Sequence, residues 1–189
     1  MITLPPPVIF WLLILFPGVS SATGYFDDLL YGVSVISQEA RTTVTTPATK
    51  TFFKDRGVGL EAYADKYFER KYRLKGALGI ITYDGFDVAE LIVSTDILLP
   101  ANSEVSMFMG ASAGLGMQQL KGDSLSDSAL GLIYGIQFGG IVYLNNNYMA
   151  EAGVRLRSAN IATEATSVAD STVEMNGADE LYISLLMMF

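Results

Sequence analysis

The stretch Glu104 to Gln118, EVSMFMGASAGLGMQ, separates into two faces when alternate positions are read. The even positions are Glu104, Ser106, Phe108, Gly110, Ser112, Gly114, Gly116 and Gln118. The odd ones are Val105, Met107, Met109, Ala111, Ala113, Leu115 and Met117. A period of two held over this length belongs to a β-strand with one apolar face. Tyr148 to Arg157 repeats the pattern, with Glu151, Gly153, Arg155 and Arg157 on one face and Tyr148, Ala150, Ala152, Val154 and Leu156 on the other.

Working outward, the same reading predicts strands over Leu30–Gln38, Val58–Tyr67, Tyr72–Thr82, Val88–Leu99, Leu130–Tyr143 and Asp179–Phe189. Strands of soluble sandwiches average about 5–6 residues, whereas a tilted strand crossing a bilayer needs about 9–11. The lengths point to a membrane. The connections sort into two sets. Tight turns are expected around Phe68-Glu69-Arg70, Pro100-Ala101-Asn102-Ser103 and Asn145-Asn146-Asn147, alternating with connections over Glu39–Gly57, Tyr83–Asp87, Gln119–Ala129 and Ser158–Ala178, of which only the second is short. Alternation of short and long is the habit of outer-membrane barrels. Tyr31, Tyr67, Tyr72, Tyr143, Tyr148 and Phe189 fall at the tight-turn ends, where an interfacial aromatic belt would sit.

Composition narrows the chemistry. The 189 residues include no His and no Cys, so imidazole bases, thiolate nucleophiles, Cys/His zinc sites and disulfides are excluded. A net charge of −8 leaves no basic surface for nucleic acid. At the N-terminus, Val8 to Phe16 is an apolar run followed by Pro17-Gly18 and small residues through Ala22, the pattern of a signal peptide. Residues 1–22 are therefore expected to be a cleaved signal and 23–189 the mature domain, with a retained anchor as the alternative.

The signal segment, the alternating strands, the PANS and NNN turns and the terminal LYISLLMMF together resemble the OmpA/OmpX-type outer-membrane β-barrel family of Gram-negative bacteria. The resemblance implies an all-β, eight-stranded antiparallel up-and-down transmembrane barrel with both termini periplasmic. It also implies that Leu181, Ile183, Leu185, Met187 and Phe189 form the C-terminal signal read by the barrel-assembly machinery. Family members include adhesins, opacity and resistance proteins, structural anchors and a few lipid-modifying enzymes, so the fold does not assign the function. Outer-membrane lipases and omptin-like proteases use an essential His, so no enzymatic activity is expected, and no cofactor or metal site.

With the polar face inward, the lumen receives Glu61, Asp65, Glu90, Asp96, Glu104, Glu151 and Glu180 against Arg73, Lys75, Arg155 and Arg157. An eight-stranded barrel is just wide enough for side chains to fill, so these charges are expected to pair as a structural plug, with a gated pore or proton path as the alternative. Glu61 and Asp65 are expected to face Lys75 and Arg73 across the turn at 67–71. Gly110, Gly114, Gly116, Gly131, Gly135 and Gly139 should line one inner wall and make room for long side chains opposite, or leave a small cavity for an apolar ligand. The sequence Gly57-Val58-Gly59-Leu60-Glu61-Ala62 fits a loose dinucleotide fingerprint but begins a strand instead of closing one.

The first long connection carries Arg41, Lys50, Lys54 and Arg56 with Phe52 and Phe53, in an otherwise acidic chain. These residues are candidates for contact with lipopolysaccharide phosphates or a host surface ligand, against a plain solvated loop. The acids Glu164, Asp170 and Glu174 of the fourth match no calcium-loop spacing. The functional expectation is a small closed, monomeric outer-membrane barrel with an envelope-structural or adhesive role. The alternative is a narrow channel or carrier for a small or apolar solute.

Overall fold

The computed structural model describes residues 29–69, 71–121, 128–145, 147–165 and 171–188. The expected signal segment and Phe189 lie outside them. The strands are β1 (Leu29–Thr45), β2 (Lys50–Phe68), β3 (Tyr72–Thr82), β4 (Phe86–Pro100), β5 (Val105–Leu120), β6 (Ser128–Tyr143), β7 (Tyr148–Ala165) and β8 (Ser171–Met188). Each pairs antiparallel with its neighbours in sequence, and β1 pairs with β8 to close the barrel. In hydrocarbon no water satisfies an open edge, so closure is what permits strands to span.

Alternation sets inside and outside. On β5, Ser106, Phe108, Ser112 and Gln118 are buried while Met107, Met109, Leu115 and Met117 are exposed. Val33, Val35, Val58, Leu60, Leu91, Val93, Leu132, Ile136, Ile183 and Leu185 extend the outward apolar face around the wall. From Met107 to Met117 the strand covers about 34 Å, or about 26 Å along the bilayer normal at a typical tilt of about 40°. That height matches the apolar band of outer-membrane barrels.

The tight turns lie as expected and their polar residues have definite work. Asn102 Oδ1 accepts the backbone N–H groups of Glu104 and Val105, each at 2.8 Å. Asn145 Oδ1 does the same for Asn147 and Tyr148. In the β2–β3 turn Glu69 adopts a positive φ of 51°, and the Lys71 N–H closes on the Phe68 carbonyl at 3.0 Å. Of the expected aromatic belt, Tyr72, Tyr143 and Tyr148 face outward, but Tyr67 turns inward. It shares the parity of Asp65, so the pleat sends it to the lumen.

The long connections differ most from the sequence reading. Glu39–Gly57 is a hairpin, not a loop: β1 and β2 stay paired to Thr45 and Lys50, leaving only Thr46–Thr49 as the turn. Likewise β7 and β8 pair to Ala165 and Ser171, and β1 follows β8 to Thr172. On the other side, β2–β3 pairing stops at Val58 and Thr82, and β6–β7 pairing at Leu132 and Asn160. The hairpin end is therefore lopsided, with a tall half-sheet β7–β8–β1–β2 rising over a low wall of β3 to β6.

A cation at mid-band tests the inside-out assignment. Ile136 is outward and pairs with Ala111, midway along β5. Ile136→Lys is expected to destabilise the lipid-embedded barrel by about 2–4 kcal/mol, read as a lowered urea midpoint in vesicles.

Candidate functional site: the charged lumen and the rim

Ten of the eleven charges expected inside are there. Glu61, Asp65, Arg73, Lys75, Glu90, Asp96, Glu151, Arg155, Arg157 and Glu180 are each no more than 4% exposed. Glu104 is the exception and is exposed. Its parity points inward, but it sits one residue before β5, where the Asn102 turn holds the backbone and the alternation of the ladder no longer applies.

The charges form two clusters. In the one nearer the tight turns, Arg73 donates through Nε and Nη2 to Asp96 Oδ2 at 2.8 and 2.6 Å, and through Nη1 to Glu151 Oε2. Its reach to Asp65 Oδ2 is longer, 3.3 Å. Lys75 and the Tyr182 hydroxyl complete Glu151 Oε1 at 2.9 and 2.6 Å, and Gln137 donates to Asp96 Oδ1 at 2.6 Å. In the second cluster Arg155 grips Glu61 through two bonds of 2.8 Å and reaches Glu180 at 2.6 Å. Arg157 meets Glu90 at 2.7 Å and Glu180 at 3.1 Å. Gln38 adds a bond of 2.8 Å to Glu180 and itself accepts from the Tyr83 hydroxyl.

The expected pairing across the β2–β3 turn therefore holds for Asp65 and Arg73 but not for Glu61. Glu61 lies opposite Gly79 in the ladder, and its partner, Arg155, comes from β7 on the far side of the lumen. Partners across a narrow barrel are chosen by strand stagger, not by turn proximity.

Aromatic faces wrap the cations. Arg73 lies over Phe108 at 4.5 Å, Lys75 over Tyr63 at 4.0 Å and Arg155 over Tyr182 at 4.0 Å, each an electrostatic contact with the ring face. Apolar layers close both ends of the ionic zone. Toward the hairpins, Ile81 faces Val88 and Ile161 faces Met175 in register, with Tyr83 and Phe86 stacked at 4.4 Å. Toward the turns, Leu186 pairs with Met149, alongside buried Leu30, Leu98 and Ile141. Sequence reading missed these layers, although Ile81, Val88, Leu98, Met149, Ile161 and Leu186 are in phase with the charges on their strands; Met175 is shifted out of phase by the irregularity in the β8 register.

The inner glycines make room for side chains: among the described residues the space over each of them is taken by neighbouring atoms. A Cβ at Gly139 would meet Phe108, and one at Gly116 would meet Ile133 and Ile161. At Gly114 and Gly135 it would run into the neighbouring strand's backbone, so the wall is drawn in where these glycines sit.

On the rim, the six candidate contact residues are exposed, Phe52 at 74% and Phe53 at 49%. They are not all free cations. Lys54 and Arg56 share Glu39 at 2.7 and 3.4 Å, Arg41 meets Asp179 at 3.3 Å, and Lys50 lies 5.8 Å from the Phe52 ring centre. The hydrogen bond and charge of Lys54 hold the Glu39 carboxyl below its ordinary range. At the other terminus of the sheet, Leu181, Ile183 and Leu185 face outward, Met187 is half-buried, and Phe189 lies outside the described residues.

No protein-family model matches the chain, and no curated protein matches its sequence. Solved structures do match its fold. Neisserial surface protein A superimposes with a TM-score of 0.59 at 15% identity, over 83% of this chain and 97% of that one. The solid-state NMR structure of outer membrane protein AlkL in DMPC bilayers gives 0.57 at 12% identity, over 84% and 87%. The chain has the fold of bacterial outer-membrane β-barrels. This agrees with the OmpA/OmpX-type resemblance and with an outer-membrane setting.

The two kinds of ion pair should separate in stability measurements. Arg155→Met strands Glu61 in the lumen and takes one of two arginines from Glu180, and is expected to cost about 3–5 kcal/mol. Arg41→Ala at the half-exposed rim pair should cost no more than about 1 kcal/mol, and Glu104→Ala about 0.5 kcal/mol or less. Urea titration of the three variants in vesicles is the measurement.

Proposed function

We propose that the chain is a closed barrel of the outer membrane whose work is done by the half-sheet β7–β8–β1–β2, projecting from the cell as an adhesive or envelope-contact surface. The observation that carries this reading is the pairing register. Beyond Val58 and Thr82 the β2 segment Lys50–Gly57 has no ladder partner on its β3 side among the described residues. Unpaired backbone groups on a raised edge accept an added strand. Flanking them, Lys50, Lys54 and Arg56 alternate along the strand with exposed Phe52, a combination suited to an extended acidic segment of a surface ligand or to lipopolysaccharide phosphates.

The hairpin end faces outward in this reading and the tight turns face the periplasm, following the habit of the fold. Outward Leu181, Ile183 and Leu185 suit recognition by the barrel-assembly machinery. In this reading the protein acts as a monomer and not as an enzyme, and the support is that each lumen carboxylate lies within 3.3 Å of an arginine or lysine. The filled lumen, with apolar layers on both sides of the ionic clusters, weighs against the channel reading.

The experiment replaces residues 43–52 by a two-residue Asn-Gly turn and, separately, reverses charge at Lys50, Lys54 and Arg56 to Glu. Both variants should retain the heat-dependent gel shift of a folded barrel. Cells displaying them should bind host matrix proteins or lipopolysaccharide at least about tenfold less than wild type, the effect of losing about 1.4 kcal/mol. Equal binding by all three forms would overturn the reading, as would steady conductance of the wild-type barrel in planar bilayers.

A further inference from the structure

The outward apolar band is not equally tall all round the barrel. The ladder row that leaves β1 at Tyr31 crosses Gly76, Ala113 and Ser158 and returns to β1 at Arg41, ten residues nearer the hairpins. Such a stagger over eight strands tilts them by about 40°. Along the barrel axis each residue then gains about 2.5 Å and each strand step along a row about 3 Å.

On that scale the tight-turn edge of the band is level. Tyr72, Met107, Val142, Tyr148 and Met187, from β3 and β5 to β8, lie within about 4 Å of one another in height. The hairpin-side edge is not level. The outward apolar run reaches Met117 on β5 and Leu130 on β6, but stops at Leu156 on β7, Leu181 on β8 and Val35 on β1. These last three stand on average about 12 Å lower. From Leu181 to Met187, β8 offers about 15 Å of apolar height, where β5 offers about 26 Å.

The outward positions that follow on the short side are polar: Ser158, Asp179 and Ser37. A hollow in the outer wall marks the place, lined by Ser37, Glu39, Arg56, Val154, Asp179 and Leu181. A flat bilayer cannot suit both sides. Hydrocarbon that covered Met117 and Leu130 would immerse Ser37 and Asp179 by about 6–11 Å, and a charge on the lipid face is destabilising in proportion to its depth. Hydrocarbon that stopped at Val35 would leave Leu115, Leu132 and Tyr134 in water. Tilting the barrel levels the upper edge only by tipping the lower one, which is already level. Thinning the bilayer locally is the remaining accommodation, and its cost per ångström is small.

We propose that β7–β8–β1 is a membrane-thinning wall, against which the hairpin-side leaflet dips about 10 Å below its level at β5 and β6. The partner of this surface is the lipid itself. The raised half-sheet stands on the same three strands and β2, so the dip also sets more of its outward face in water. The lipid contact is independent of what the rim binds.

Spin labels at matched heights test this. Ser37 on β1 and Tyr134 on β6 lie within about 1 Å of the same height, and the chain has no Cys of its own, so Ser37→Cys and Tyr134→Cys each carry a single nitroxide. Leu115→Cys repeats the measurement on β5. Met109→Cys and Leu185→Cys form a second matched pair nearer the tight turns. All five should keep the heat-dependent gel shift. Depth is read from collision with oxygen and with a water-soluble nickel chelate, using the full-length barrel in vesicles of 18-carbon phosphatidylcholine. The label at 37 should lie at least about 6 Å shallower than those at 134 and 115, while 109 and 185 should be equally deep. Equal depth at 37 and 134 would overturn the proposal in favour of a flat membrane. A difference of opposite sign at 109 and 185 would overturn it in favour of a tilted barrel. Exclusion of both reagents from 37, with dipolar broadening between labels, would replace lipid by a second copy of the chain.

Discussion

The pairing of β1 with β8 is the constraint on which the rest depends. A strand edge left open in hydrocarbon would expose backbone donors and acceptors to a medium that cannot satisfy them. Closure removes the edge but fixes the circumference, and at eight strands the interior has room for side chains and little else. From that point the two faces of every strand face opposite demands. The outer one must be apolar over the height of the bilayer, and the inner one must fill a narrow space without leaving a charge alone.

The inner demand explains the composition of the lumen better than a need for stability does. Buried ion pairs return little net energy after desolvation, but deleting one partner is costly. Two arginine-centred clusters, wrapped by Phe108, Tyr63 and Tyr182, tie β2, β3, β4, β7 and β8 together through side chains across the barrel. Wall hydrogen bonds fix neighbours only; the clusters fix opposite sides. The inner glycines belong to the same arrangement, because long guanidinium and aromatic groups need space against the facing wall.

Much of this was legible in the sequence because period two carries both the element and its faces. Met107 and Met109 outside with Ser106 and Phe108 inside follow from parity alone, and so do ten of the lumen charges. Parity failed at Glu104 for a local reason: the Asn102 turn ends the ladder. It was not applied to Tyr67, whose aromatic character suggested the interface while its position dictated the lumen. The projecting hairpins carry no strand signal in the sequence because outside the bilayer both faces of a strand are wetted. In ARTTVTTPATKTFFKDRG neither set of alternate positions is apolar, so the strand signal disappears where hydrocarbon does. Pairing across the lumen, as between Glu61 and Arg155, needs the stagger of the whole barrel and cannot be read from one strand.

Rim and lumen are therefore built to different specifications on the same strands. From Val58 to Lys66 every residue of β2 is paired on both sides, and its inward positions are committed to the plug. Above Val58 the strand keeps one partner, β1, and presents its other edge. Substitution in the lower half propagates through clusters shared by several strands, whereas substitution between Lys50 and Gly57 alters a surface whose ion pairs are exposed and individually weak. A barrel of this kind can change what it contacts at the rim without disturbing what holds it closed. The contact surface proposed for the rim thus lies in the segment where the hydropathy pattern is least informative.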